Sequence, residues 1–315
     1  MLQINLTTPN LTGDGQQKPR QLPLCWSYLT AELHSQLTFI SVLNSFLSVT
    51  ALFGNALILI ALYKESSLYP PSKLLLRSLA TTDLGVGLIS EPLTIIYWMS
   101  EVNEHKNICP FILSAALLTS SILCSISLLT LTAICVDRLL ALLLGLRYRQ
   151  VVTLKRTYVI VVTIWIVSAV FSAVQRWNEV ISLWYWIIII PLCVVTSIFS
   201  YTKIFFTLRH HQNQVQDYVQ QPNQTNQLNI ARYKKAVSTA IWLQLTLAAC
   251  YLPFGVAVAL WTNSELSASV YQLWIYSQTL VFLNSSLNPI LYCWKLEEVR
   301  QAVKETIRQV LCYCT

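Results

Sequence analysis

Seven apolar stretches follow one another along the chain, at residues 36–63, 73–98, 109–142, 156–177, 182–208, 233–261 and 268–293. A bilayer core takes about 20 consecutive apolar residues of helix per crossing, so each stretch is long enough to span. They use up most of the chain and leave little for a separate soluble domain. The expected architecture is an all-α membrane protein, a seven-transmembrane helix bundle over 36–293. A polar tail, 1–35, precedes it, and 294–315 forms an amphipathic helix on the cytoplasmic surface and the C-terminus. Composition agrees: 55% of residues are hydrophobic and 11% charged, against about 25% charged in an average soluble protein.

The formal charge of +7 raises nucleic acid as a partner, but no basic stripe interleaved with aromatics is present, and nucleic acid is excluded. The charge follows membrane topology instead. With the N-terminus outside, only Lys18, Arg20, Lys106 and Arg176 of the 21 Lys and Arg residues fall on the outer side. Retention of positive charge in the cytoplasm therefore predicts an extracellular N-terminus. The sequons at Asn5 and Asn10 in that tail agree as glycosylation sites, although Asn223 and Asn284 carry the same tripeptide in places where no glycan is added. Met1 to Arg20 has no apolar run and is not expected to be a cleavable signal peptide.

The third stretch places Ser114, Ser120, Ser121, Ser125 and Ser127 among leucines. Small hydroxyl side chains permit close helix contact and hydrogen bonds across it, so this helix is expected inside the bundle. The segment His210 to Ile230, rich in Gln and Asn, is expected to be a flexible inner loop. From Lys295 to Gln309, apolar Leu296, Val299, Ala302, Val303 and Ile307 alternate with Arg300, Lys304 and Arg308, the pattern of a helix lying on the inner membrane surface.

Ionisable and polar groups inside a membrane are costly and usually functional. Here they occur in a definite order: Gly54-Asn55 in the first span, Leu79-Ala80-Thr81-Thr82-Asp83 in the second, Val136-Asp137-Arg138 closing the third and Trp165 in the fourth. The sixth carries Cys250-Tyr251-Leu252-Pro253-Phe254, and the seventh Asn288-Pro289-Ile290-Leu291-Tyr292. Together these resemble the signatures of the rhodopsin-like (class A) G-protein-coupled receptors, one per helix and in the family's order, over nearly the whole chain from Ser35 to Gln309. Departures exist. Leu139 follows the Asp-Arg pair where an aromatic is usual, Tyr251 stands where the family has Trp, and Pro191 and Tyr201 are ten residues apart rather than eight. The acidic residue that often opens the sixth span is replaced by Tyr233, which implies a weaker tie on the third-span arginine.

The resemblance implies a plasma-membrane receptor for an extracellular ligand, with a heterotrimeric G protein as partner, arrestin as a candidate partner, and contact with membrane lipid. It implies coupling and activation roles for Asp137, Arg138, Tyr201, Asn288, Pro289 and Tyr292. Arg138 pairs with Asp137 at rest and turns toward Tyr201 and Tyr292 when active, as Pro253 lets the sixth helix swing; a snorkelling interfacial arginine is the plainer alternative. It further implies a polar core of Asn55, Asp83, Ser127, Asn284 and Asn288, which either cages a sodium ion or is a plain hydrogen-bond network. The family's usual disulfide cannot form because the second outer loop lacks cysteine, leaving Cys25 and Cys109 as a bridge or as two separate thiols. Cys312 and Cys314 are candidates for palmitoylation or remain thiols.

For the ligand, the upper bundle offers Glu91, Trp98, Ser120, Tyr251, Phe254, Tyr276 and Gln278, aromatic with one acid. Ser120 takes the place of the amine receptors' aspartate, and Phe282 the place of the retinal-binding lysine. The short outer loop without cysteine is similar to the melanocortin, lipid and cannabinoid branches. A seven-span transporter or channel is the alternative, but it predicts several intramembrane charges and repeated or broken helices. Only Asp83 is deep, and no internal repeat is evident. An enzyme is not expected: all four histidines, His34, His105, His210 and His211, fall at membrane edges or in loops, and no catalytic or metal-binding set is visible.

Overall fold

The computed structural model of the protein describes residues 33–64, 68–105, 107–174, 179–218, 242, 245–261, 267–295 and 297–313. Among them are the spans His34–Lys64, Pro70–Val102, Cys109–Leu144, Leu154–Val174, Glu179–Tyr218, Leu245–Trp261 and Ala268–Lys295, in that order, followed by a surface helix Glu297–Tyr313. Among the described residues, five helices are long and apolar enough to cross a membrane. The described part of the sixth is shorter, and Gln272, Gln278, Asn284 and Asn288 dilute the seventh. Most boundaries fall within a few residues of those expected. The fifth does not: its helix runs on to Tyr218, through the first nine residues of the segment expected to be loop. Once nucleated inside the bilayer, a helix adds residues at little cost, and polar side chains do not oppose it beyond the lipid.

The third span is the axis of the bundle, and its serines provide the cross-links. Ser121 shares a hydrogen bond with Ser172 of the fourth span at 2.9 Å, and Ser125 one with Ser168 at 3.1 Å. Trp165 of the fourth span donates to Ser78 of the second at 3.2 Å. In lipid such bonds and close packing take over from the hydrophobic drive of water. Tyr251 of the sixth span donates to the Cys124 carbonyl at 3.2 Å, and this joins that helix to the centre as well.

One local irregularity positions much of the outer half. Between Gly85 and Glu91 the second span makes a π turn, Val86–Ser90, in which the Glu91 amide reaches back to the Val86 carbonyl. Pro92 follows and has no N–H for an ordinary helical bond. The extra residue of a π turn rotates everything beyond it by roughly a quarter turn relative to an unbroken helix. The first span packs directly on this turn: a Cβ on Gly87 would lie 2.8 Å from the Ser48 carbonyl oxygen and 2.9 Å from the Leu52 nitrogen. Ser48 also donates to the Gly87 carbonyl at 2.6 Å. Only glycine permits that approach.

Beyond the seventh span the surface helix buries Val299, Ala302 and Val303. Lys64, closing the first span, donates to Gln309. Of the apolar residues expected on this face, Ile307 departs and is 42% exposed, and Leu296 lies outside the described residues.

Candidate functional site

The deepest polar group is Asp83, fully buried at the end of the regular part of the second span. Its Oδ1 accepts hydrogen bonds from Ser127 and Ser285, both at 2.9 Å, and its Oδ2 accepts one from Asn288 at 2.7 Å. Three spans thus meet on one carboxylate. Asn55 does not touch Asp83; its Nδ2 donates to the carbonyls of Ala51 at 2.8 Å and Ser285 at 3.0 Å, which fixes the seventh-span backbone beside the acid. Asn284 does not join Asp83 either, and its buried Nδ2 has no partner. Ser285, its neighbour, takes that place and was missed by sequence reasoning. In the sequence the polar-core role falls by resemblance on Asn284, and a one-residue step along a helix turns the side chain by about 100°.

Near the C-terminal end of the third span Arg138 pairs with Asp137, Nη2 to Oδ2 at 3.1 Å, with the arginine 42% exposed and the aspartate 4%. Asp137 is held from two further sides: Ser72 donates to Oδ2 at 3.0 Å and Tyr148 to Oδ1 at 2.7 Å. Tyr148 comes from the short helix Tyr148–Val151 after the third span, and its ring packs on Tyr69, centroids 5.3 Å apart. Neither Ser72 nor Tyr148 stood out in the sequence, since nothing local marks a hydroxyl that will meet an acid 65 or 11 residues away. Tyr201 is buried and bonded to the Cys135 thiol at 2.9 Å. Tyr292 is buried with its hydroxyl unpartnered. Pro289 lies inside the seventh helix, close enough to the first span that a Cβ on Gly54 would be 3.0 Å from its Cγ.

At the outer end a small cavity is lined by Thr94, Tyr97, Trp98, Trp261, Tyr271, Trp274 and Gln278 with Leu113, Ala116 and Leu117. Of the residues expected there, Trp98 and Gln278 line it. Phe254 is joined to it through Trp274, ring centroids 5.2 Å apart. Glu91, Ser120 and Tyr251 are buried below it and are not part of its wall. Tyr276 is corrected: it is 41% exposed, on the outer surface of the seventh helix. Glu101 is not part of the wall either, but it accepts hydrogen bonds from two residues that are, Tyr97 and Tyr271, each at 2.7 Å. Glu91 instead has both carboxylate oxygens buried and unpartnered. The π turn between Asp83 and Glu91 shifts the face that later residues present, so helical spacing from Asp83 does not identify which second-span residues face the cavity.

Cys109 is disulfide-bonded. Its expected partner Cys25 lies outside the described residues, as do Asn5, Asn10, Tyr233 and Cys314. Cys124, Cys135, Cys193, Cys250 and Cys293 are free. Cys312 is carried on the surface helix.

A sequence profile of the family described as "7 transmembrane receptor (rhodopsin family)" matches residues 54–179 and 174–292. Among curated proteins, the adenosine receptor A3 of Ovis aries is 27% identical over 314 residues, covering 90% of this chain and 93% of the relative. The adenosine receptor A2a of Canis lupus familiaris is 24% identical, covering 90% of this chain and 72% of the relative. Melanocortin receptor 5 of Rattus norvegicus is 24% identical, covering 83% and 82%. The relatives are receptors, so the transporter or channel alternative is not the one they favour. With the profile spanning from Gly54 of the first span to Tyr292 of the seventh, the chain belongs to the seven-transmembrane receptors of the rhodopsin family.

Proposed function

We propose that this receptor takes an extracellular ligand at its outer mouth and passes the change through the polar core to Arg138, which a G protein then engages. The observation that carries this reading is the grip on Asp137. A buried carboxylate held by Arg138, Ser72 and Tyr148 is a discrete arrangement with a discrete alternative, which is what a two-state element needs. Released from Asp137, Arg138 has two buried hydroxyls, Tyr201 and Tyr292, as prospective partners. The outer cavity is linked to the sixth span by rings: Trp261 to Trp274 at 5.4 Å and Trp274 to Phe254 at 5.2 Å, next to Pro253. A ligand that displaces Trp274 therefore acts on the helix whose proline allows it to bend. The N-terminus lies outside, supported by the charge distribution, and arrestin and the inner lipid surface share the cytoplasmic face.

The test is made without a ligand. Tyr148→Phe removes one donor from a buried charged acceptor, a loss of about 1.5–3 kcal/mol in such settings, part of which falls on the difference between resting and active states. Basal nucleotide exchange by cognate G protein is expected to rise severalfold at matched surface expression. Unchanged or reduced exchange would count against Asp137 as the restraint.

Asp83 supports a second element of the same reading. Its carboxylate, the Ser127 and Ser285 hydroxyls and the buried, partnerless Oδ1 atoms of Asn55 and Asn288 are oxygen donors of the type a hard cation takes. The site fits sodium, with Asp83 supplying the charge. Sodium chloride is expected to raise the melting temperature of the purified receptor above that seen in N-methylglucamine chloride, and Asp83→Asn to erase the difference. Equal behaviour of the two salts on wild type would leave Asp83 as a hydrogen-bond hub only. Adenosine and melanocortin, the ligands in the relatives' names, are candidates for the outer site on sequence similarity alone.

A further inference from the structure

A groove of about 660 Å³ lies between the second and fourth spans, at the end of the bundle where Ser72 meets Asp137. Pro70, Lys73, Leu74 and Arg77, with Leu68 before them, form one wall, and Leu154, Lys155 and Tyr158 form the other. Steps of three and four residues put each set on one face of its helix. Three of the lining side chains are cationic, and the rest are apolar apart from the Tyr158 hydroxyl. No Asp or Glu occurs in 66–82 or 138–178, so neither wall carries an acid of its own. Arg77 is held in place without being neutralised: its Nη2 donates to the Leu62 carbonyl at 3.0 Å, and its guanidinium lies 5.8 Å from the centre of the Tyr63 ring. Among the described residues no carboxylate forms an ion pair with Arg77 or Lys155. Both helices begin at this groove, which adds the positive ends of their dipoles. A cation facing hydrocarbon is costly to leave without a counter-charge, so the groove calls for an anion.

The apolar part of the lining selects the source of that anion. Val159, Val162 and Ile166 continue the face of Lys155 and Tyr158 at steps of four residues, and all three are exposed. In a bilayer that surface lies against acyl chains, while the first turns of the two helices lie at headgroup depth. A free phosphate would meet the cations and leave Leu68, Leu74 and Leu154 uncovered, whereas a phospholipid covers both. The volume is of the size that holds a headgroup and the start of its chains. We propose that the groove binds an anionic phospholipid. Its phosphate and headgroup charge sit between Arg77 and Lys155, with Lys73 on the same wall, and its chains run along the exposed face of the fourth span. The site goes beyond the receptor reading and does not depend on it.

The experiment offers the purified full-length protein in detergent equal amounts of phosphatidylserine and phosphatidylcholine with the same acyl chains. Native mass spectrometry reads the first lipid retained. Wild type is expected to keep phosphatidylserine about tenfold over phosphatidylcholine. Lys155→Gln and Arg77→Gln are each expected to lower that ratio by about fivefold, the effect of one cation near an anionic lipid surface. Lys304→Gln, which removes an exposed cation from the surface helix, is expected to leave it unchanged. Lys155 is exposed, so its variant carries the test if Arg77→Gln does not fold. Glycerophosphoserine, the headgroup without chains, is expected not to displace the lipid at equal concentration. A ratio near one on wild type, as a neutral lipid or sterol in the groove would give, overturns the proposal. So does a ratio unchanged in either folded groove variant, an equal fall in Lys304→Gln, or displacement by glycerophosphoserine. None of these readouts involves a G protein, so the lipid site and the coupling reading can each fail without the other.

Discussion

Arg138→Ala is expected to abolish basal nucleotide exchange on every G protein that the wild type activates, while the protein still reaches the cell surface in about the wild-type amount. The two halves of this expectation have separate physical grounds. The side chain is 42% exposed, and ion pairs with a solvated partner contribute little to folding, about 0–1 kcal/mol. Asp137 loses its cation but keeps the hydroxyl donors of Ser72 and Tyr148, so it is not left bare in the bundle. Stability is therefore nearly preserved. Function is expected to be lost, because the proposed active arrangement needs the guanidinium as the group that Tyr201 and Tyr292 hold. A resting-to-active gap of about 2 kcal/mol leaves a few per cent of molecules active, enough to measure without ligand. The assay compares wild type, Arg138→Ala, Tyr148→Phe and the double variant at matched surface expression. Tyr148→Phe is expected to be raised and the double variant silent, since loosening Asp137 is useful only if Arg138 is there to be released. Exchange that persists in Arg138→Ala would remove the coupling role and leave a snorkelling arginine.

The largest expected loss of stability comes from a single methyl group. Gly87→Ala places a Cβ 2.8 Å from the Ser48 carbonyl oxygen, a separation that side chains do not tolerate and that the first-span backbone cannot relieve by turning a rotamer. The helices must part, and with them go the Ser48 hydrogen bond and the packing around the π turn. Overpacking of this type costs typically 1–3 kcal/mol, and the melting temperature of the purified receptor is expected to fall by about 5 °C or more. Gly255→Ala is the control: its Cβ would meet Ile190 at 3.6 Å, an ordinary contact, and helix propensity favours alanine. Gly145, at φ +48° with open space around it, falls between them, its alanine variant strained but unobstructed. A Gly87→Ala receptor as stable as wild type would mean that the first span does not press on the π turn as described.

The spans, the order of the signature residues and the family are all decided by local properties. Bilayer thickness sets how long an apolar run must be, and Asp83, Arg138, Pro253 and Tyr292 are recognisable because polar groups and prolines are scarce in such runs. The same reasoning placed the third span inside, because a helix of leucines with serines every few residues has partners to find. It did not extend to which polar group meets which. Ser285 rather than Asn284 reaches Asp83, Ser72 and Tyr148 converge on Asp137, and Tyr271 crosses 170 residues to bond Glu101. Each depends on the rotation and depth of two helices at once, quantities that no single helix carries. The second span illustrates the reason: helical spacing assumes an unbroken helix, whereas the π turn at Val86–Ser90, seated where Gly87 lets the first span approach, turns the part of the span that follows it. Sequence by itself determined that the chain crosses the membrane and where its polar residues lie along each helix. Only the packing of the helices against one another decided which of those residues face each other, because contact across a bundle is set by the rotation of neighbours rather than by position along the chain.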